Sequence, residues 1–230
     1  MFRGKTMDEE ATIGDLELAA LISSRICHDV ISPVGAIANG LEMLGEEQDE
    51  SMREQTMDLI RKSARQASAK LQFARLAFGA AGSAGAEIDL RDAERVARDF
   101  VQVGKHTLSW QGPPVTLPKN KVKLLLNLLA LGVVALPRGG TVNVEIRGEG
   151  PEVAFRVLAQ GEPARLSEQV SGLLAGTKGM VLDAHSIQPY YAARVAAAAG
   201  MTVKVETREK EVELKAAGGS RREVHGLRGC

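Results

Sequence analysis

The chain has 230 residues, 44% hydrophobic and 25% charged, with 29 basic and 29 acidic side chains and a formal net charge of zero. That length buries a real core in one large domain or two modest ones, and a balanced charge with no long single-sign block argues against nucleic acid as the main partner. No run reaches the roughly eighteen apolar residues of a membrane span, the N-terminus lacks the apolar region of a secretory signal, and two distant cysteines, Cys27 and Cys230, suggest neither a disulfide framework nor a metal cluster, so a cytoplasmic protein without membrane contact is expected.

Residues 1–14 are polar and read as a flexible N-terminus. From Leu16 the apolar residues Ala19, Ile22, Ile26, Val30, Val34, Ile37, Leu41 and Leu44 recur every three or four positions, one stripe of an amphipathic helix. A helix from about Asp15 to Gly45 would be roughly 45 Å long. A second stripe, Met52, Thr56, Ile60, Ala64, Ala67, Leu71, Ala74 and Phe78, follows a predicted N-cap at Ser51 with Glu54 three residues on. Joined by a short loop, the two helices make an antiparallel hairpin over residues 15–80. Each stripe is one face wide, so a lone hairpin leaves apolar surface exposed. Two hairpins pairing as a four-helix bundle would cover it, and a homodimer is the physical expectation.

"GAAGSAGAE" (residues 79–87) ends the second helix, and residues 81–88 read as a linker. Beyond it Asp89 caps a helix "LRDAERVARDFV", followed by a strand "HTLSW" and a loop with Pro113 and Pro114. A very apolar helix runs from about Lys119 to Leu136. Strands "TVNVEIRG" and "EVAFRVLAQG" come next, then a weak helix over 165–175. Ser186 is the expected cap of a helix "IQPYYAARVAAAAG" closed by Gly200, and "MTVKVETR" with "EVELKA" form a final hairpin. Helices alternating with antiparallel strands make residues 89–215 a two-layer α/β sandwich, so the chain as a whole is α+β. Residues 216–230 read as a flexible tail.

The stretch "SRICHDVISPVG" (residues 24–35) carries the chemistry. Ser24, His28, Ser32, Gly35 and Asn39 lie roughly opposite the apolar stripe, so His28 points to solvent or to a partner. Glycine costs a helix roughly 1 kcal/mol against alanine. Gly35 and Gly40 therefore need a reason, and close approach of another backbone is one. Pro33 lacks an N–H and displaces the carbonyl of Asp29, which predicts a kink just past His28. Taken singly, a surface histidine, a solvated aspartate and a small apolar cysteine need no function. Together, an outward imidazole, an adjacent carboxylate, a proline and a face of small residues point to one. Free imidazole is largely unprotonated and nucleophilic near neutral pH. His106, His185 and His225 lie on other elements, so no metal spacing is present and no triad assembles. Attack by His28 on phosphorus remains, with Asp29 to fix its tautomer or raise its basicity.

"HDVISPV" resembles the phosphoacceptor motif of sensor histidine kinases: His28, Asp29, Val30, Ser32, Pro33 and Val34 fit, while Ile31 replaces the usual polar or basic residue. "KLLLNLLALGVVALPRGGTVNVEI" is similar to the kinase asparagine helix and following strand. Asn127 matches its first asparagine, but the magnesium-holding asparagine falls on Leu131, the alanine on Gly132 and the lysine on Val134. The adenine-binding aspartate position is Ala159. Gly161 survives, the second glycine position is Pro163, and "TKGMVLDAHSIQP" stands where a glycine-rich loop would be. Without those groups magnesium, adenine and phosphates lose their partners. A kept histidine motif beside a lost nucleotide site resembles the ChpT family of alphaproteobacterial histidine phosphotransferases, with "SRICHDVISPVGAIANGLEML" and "DAHSIQPYYAARVAAAAG" especially close.

The resemblance covers roughly residues 15–215 and implies a homodimer with a degenerate Bergerat-type domain. It implies that phosphate passes from the receiver of a hybrid histidine kinase (CckA in that family) to response regulators of the CtrA and CpdR type. No cofactor is expected, and magnesium would be supplied by the receiver. His28, Asp29 and Ser32 are the expected catalytic group. Gly35, Ala36, Asn39, Gly40 and Met43 on the first helix and Arg61, Arg65 and Gln66 on the second are expected to face the receiver. Arg25 is placed either to steady phosphate charge or as a solvated surface arginine. The α/β domain is either retained scaffold or a second docking surface. A kinase with an atypical nucleotide site and a non-catalytic adaptor that binds response regulators are the competing readings.

Overall fold

The computed structural model describes residues 13–46, 49–79, 86–177 and 179–218. The N-terminal stretch to residue 12, most of the expected linker and the tail from residue 219 lie outside the described residues.

Two long helices open the fold, α1 (Asp15–Glu46) and α2 (Glu50–Ala77). Asp15 and Glu17 put negative charge in the first turn of α1, where unpaired N–H groups favour it. Helix α2 starts earlier than expected. Asp49, not Ser51, is its N-cap: the carboxylate accepts from the Met52 N–H at 3.1 Å, and Ser51 lies inside the helix. Aspartate and serine cap equally well, but aspartate adds a charge the helix end attracts. The pair is antiparallel and closely spaced. A Cβ on Gly40 would stand 2.7 Å from Ile60 Cγ1, so a side chain there would push the helices apart. The expected stripe on α1 is only partly covered. Ile22, Ile26, Val30, Ile37 and Leu44 are half-buried, while Val34 and Leu41 remain exposed, as do Ile31, Leu59 and Leu71.

The α/β unit follows. Strand β1 (Glu87–Asp89) leads into α3 (Leu90–Gln102), capped as expected by Asp89, which accepts from the Arg91 N–H at 2.8 Å. Then come β2 (His106–Gln111), β3 (Thr116–Pro118), α4 (Lys119–Val134), β4 (Gly140–Arg147), β5 (Ala154–Gln160), α5 (Glu168–Leu174), α6 (Ile187–Ala198), β6 (Met201–Arg208) and β7 (Glu211–Gly218). Strands β1 and β3 pair antiparallel in a small ribbon; at three residues each they are too short for alternation to reveal. Strand β7 reaches Gly218, so residues 216–218 belong to the sheet rather than to the tail.

The main sheet has the order β2-β4-β5-β7-β6. Three of its pairings are antiparallel, but β2 and β4 run parallel, against expectation. The cause is α4, a crossover that returns the chain to the same end of the sheet before β4 begins. Val142, Val144, Phe155, Val157, Val212 and Leu214 form the sheet's core face, and α4 is buried from Lys121 to Gly132. Gly132 lets α4 lie close on the sheet: a Cβ there would be 3.1 Å from Val157 and 3.5 Å from Val142. On the opposite face Arg156 pairs with Glu145 at 2.7 Å and with Glu213, and Lys215 lies 2.7 Å from Glu213. Hydrogen bonds from Lys215 and Arg156 hold the Glu213 carboxyl below its ordinary range despite its burial.

Hairpin and α/β unit join through α2, α3, α4 and α6. Phe73 and Phe100 stack with centroids 3.9 Å apart, tying α2 to α3. Asn127 on α4 is fully buried. Its amide donates to the Ala77 carbonyl at the end of α2 (3.2 Å) and to Lys123 O (2.9 Å), and its oxygen accepts from Gln188 on α6 (3.4 Å). One side chain thus fastens three helices. Replacing it leaves a buried carbonyl and a buried amide without partners, at about 1–3 kcal/mol. Asn127→Leu is expected to lower the thermal midpoint by several degrees in a calorimetric scan. An unchanged midpoint would show that the network contributes no net stability.

Candidate functional site

His28 sits in the middle of α1 with its side chain 62% exposed, on the face opposite the buried stripe. Its Nδ1 edge faces Asp29 Oδ1 at 3.6 Å, too long for a hydrogen bond. The aspartate is not loose. Arg25, one turn earlier, donates from Nε to Asp29 Oδ2 at 2.8 Å, and only 18% of the Arg25 side chain is exposed. Arg25 is therefore not a solvated surface arginine; it holds Asp29.

Pro33 explains the next contact. A helix closes each N–H onto the carbonyl four residues back, so the proline at 33 leaves the Asp29 carbonyl without its partner. Lys70 on α2 supplies one: its Nζ donates to Asp29 O at 2.9 Å. Helix α1 continues through Pro33, which is itself buried. Behind Asp29 and Lys70 lies a cavity of about 200 Å³ walled by Val30, Phe73, Phe78, Phe100 and Val133. A charged and hydrogen-bonded cluster on an apolar floor thus supports the turn that carries His28.

The α/β unit reaches the same place. His185, in the turn before α6, lies edge-on to His28, with ring centroids 5.1 Å apart and planes 80° from parallel. Asp183 shapes that turn. Its Oδ1 accepts from the N–H groups of His185 (2.9 Å) and Ser186 (2.7 Å) and from the Ser186 hydroxyl (2.7 Å). Those bonds, the Ser186 hydroxyl first, hold the Asp183 carboxyl below its ordinary range. Ser186 is therefore not the side-chain cap of α6 that its position suggests, because its hydroxyl is spent on Asp183.

The remaining expected residues divide. Ser32 and Asn39 are exposed on the His28 side of α1, Met43 is exposed further along, and Ala36 is half-buried. Gly35 has open space where a Cβ would be. Gly40 is buried against Ile60 and Thr56, so its bare backbone serves the hairpin and offers nothing to a partner. Arg61 is exposed and pairs with Asp58 at 3.0 Å. Arg65 and Gln66 line a groove between α2 and α3 with Asp99, Gln102 and Lys105. At the positions aligned with nucleotide-binding groups, Leu131 and Ala159 are buried in the apolar core. Among the described residues no cluster of His, Cys, Asp and Glu could hold a metal ion, and no helix is long and apolar enough to cross a membrane.

Residues 90–211 match the family profile described as the histidine phosphotransferase C-terminal domain. Protein phosphotransferase ChpT of Brucella abortus (strain 2308) is 46% identical over 211 residues, covering 91% of this chain and all of that protein. A solved bacterial phosphotransferase superposes with a TM-score of 0.83 at 44% identity, covering 90% of this chain and 98% of that one. The histidine kinase AdeS of Acinetobacter baumannii aligns with a TM-score of 0.44 at 10% identity, covering 82% and 95% of the two chains.

Lys70 and His185 were missed at the level of sequence. For Lys70 a signal existed: Pro33 orphans a carbonyl, and in an antiparallel hairpin the donor that replaces its N–H comes from the facing helix. Lys70→Met keeps the aliphatic stem and removes the donor. It is expected to cost about 1 kcal/mol of stability. Hydrogen exchange in the turn 29–33 is the check: faster exchange is expected, and unchanged exchange would contradict the role given to Lys70.

Proposed function

The chain belongs to the histidine phosphotransferase family, and we propose that it carries phosphate on Nε2 of His28 between receiver-domain aspartates, without using ATP. The observation that supports this most strongly is the state of His28. It is exposed at mid-helix, with its Nδ1 edge facing a carboxylate that Arg25 holds in place. With the ring proton on Nδ1, the lone pair on Nε2 is free to attack.

A receiver carrying an aspartyl phosphate docks against α1. His28 Nε2 attacks phosphorus in line; the N–P bond forms as the P–O bond to the receiver aspartate breaks, and the carboxylate leaves with the electron pair. The Nδ1 proton stays on the ring, its positive charge offset by Asp29. A second receiver runs the step in reverse. Positioning supplies most of what this chemistry needs from the protein. Magnesium belongs to the receiver's acidic pocket. The residues here do not suit a nucleotide–magnesium site, since Leu131 and Ala159 are core residues with no oxygen to offer. As the family resemblance implies, the donor is the receiver of a CckA-type hybrid kinase and the acceptors are CtrA- and CpdR-type response regulators, in the cytoplasm.

The exposed apolar residues of the hairpin support a homodimer. Leu41 is 57% exposed and Leu59 48%, both toward the loop end and away from His28. A second hairpin laid against them makes a four-helix bundle.

Two results test the proposal. Incubated with a phosphorylated receiver, the wild-type chain is expected to become labelled and the His28→Ala variant to stay unlabelled. Incubated with labelled ATP alone, neither should take label, and labelling of His28 by ATP would replace the relay with a kinase. For the dimer, light scattering is expected to give twice the chain mass for the wild type and the monomer mass for Leu41→Glu combined with Leu59→Glu. A monomeric wild type would contradict the bundle.

A further inference from the structure

Nothing on α1 itself fixes the plane of the His28 ring. The imidazole is largely exposed, and Asp29 touches only its Nδ1 edge, at 3.6 Å. An exposed side chain of this kind samples several rotamers. In-line attack needs the Nε2 lone pair, which lies in the ring plane, to be aligned with the P–O bond that breaks. Some group must therefore restrict the plane without blocking Nε2.

We propose that His185 is that group: a positioning residue from the α/β unit whose ring, packed edge-on at 5.1 Å and 80°, sets the plane of the His28 imidazole for phosphotransfer. Edge-to-face packing is a preferred arrangement for flat rings. The contact depends on the turn that carries His185, and the backbone of that turn is held. Asp183 binds the His185 N–H at 2.9 Å and fixes the turn. Three residues on, buried Gln188 donates to Asn127, which in turn bonds the end of α2. Two turns further along α6, Arg194 lies 3.9 Å from Asp15 at the start of α1. Helix α6 thus meets the hairpin at the end of α2 and at the start of α1, both on the N-terminal side of the His28 level. This gives the α/β unit work in the transfer step although its nucleotide-site positions are filled by core residues. The inference rests on His28 being the phosphate carrier.

The competing role for His185 is docking, since Val181 nearby is 82% exposed and the same loop would meet a receiver. Rate and affinity separate the two. Transfer from a phosphorylated CckA-type receiver domain is measured over a range of receiver concentrations for wild type, His185→Ala and His185→Phe. For His185→Ala the rate at saturating receiver is expected to fall about tenfold or more, with the half-saturating concentration unchanged. His185→Phe, which keeps a flat ring, is expected to restore most of the rate. An unchanged saturating rate in His185→Ala overturns the inference, as does a loss confined to half-saturation, which would make His185 a docking residue. Failure of His185→Phe to rescue also overturns it, because ring packing would then not be the operative property. His185 is exposed, and equal thermal midpoints for the three proteins confirm that they fold alike. A wild type that accepts no phosphate would instead overturn the parent reading.

Discussion

Pro33 takes one N–H out of the middle of a helix, and the carbonyl it strands belongs to Asp29, next to the exposed imidazole. Lys70 answers from α2 at 2.9 Å. That single replacement ties the second helix to the turn bearing His28 and sets which face of α2 meets it. The same residue, Asp29, is held by Arg25 through its side chain. Backbone and side chain of one aspartate are thus pinned from different directions. An exposed imidazole on this helix face gains from this, because the carboxylate beside it is held in place.

The α/β unit is fastened to the hairpin through buried polar contacts as well as apolar ones. Asn127 is the clearest case. It occupies a position that resembles a nucleotide-site asparagine, yet it bonds Ala77 O and Gln188 within the fold. Around it the neighbouring motif positions hold Leu131 and Gly132, which let α4 settle onto the sheet. What those positions give up in polar groups they return as packing. The result is a platform that delivers the turn before α6, and with it His185, to the edge of His28.

Much of this was legible in the sequence. The two long helices followed from spacing of three and four, the outward direction of His28 from the face opposite the stripe, and the strands of the main sheet from alternation. What stayed hidden has physical reasons. The parallel pairing of β2 with β4 depends on where a crossover helix sets the chain down, which local patterns do not encode. Strands β1 and β3 are too short to show a period. The cap at Asp49 competed with an equally good residue type at Ser51. Gly40 was assigned to a partner's surface because a glycine's purpose depends on what lies across from it, here Ile60 of the same chain. Lys70 and His185 act at long range in sequence, 41 residues in the one case, where no local rule reaches.

The proposed relay depends on one nitrogen. It requires that phosphate from a charged receiver be found on Nε2 of His28, the atom turned away from Asp29, and a nitrogen–phosphorus coupling spectrum of the charged protein, labelled with nitrogen-15 in its histidines, reads this directly. Coupling from phosphorus to Nε2 of His28 is the predicted result. Coupling to Nδ1, or to any other histidine, would contradict it.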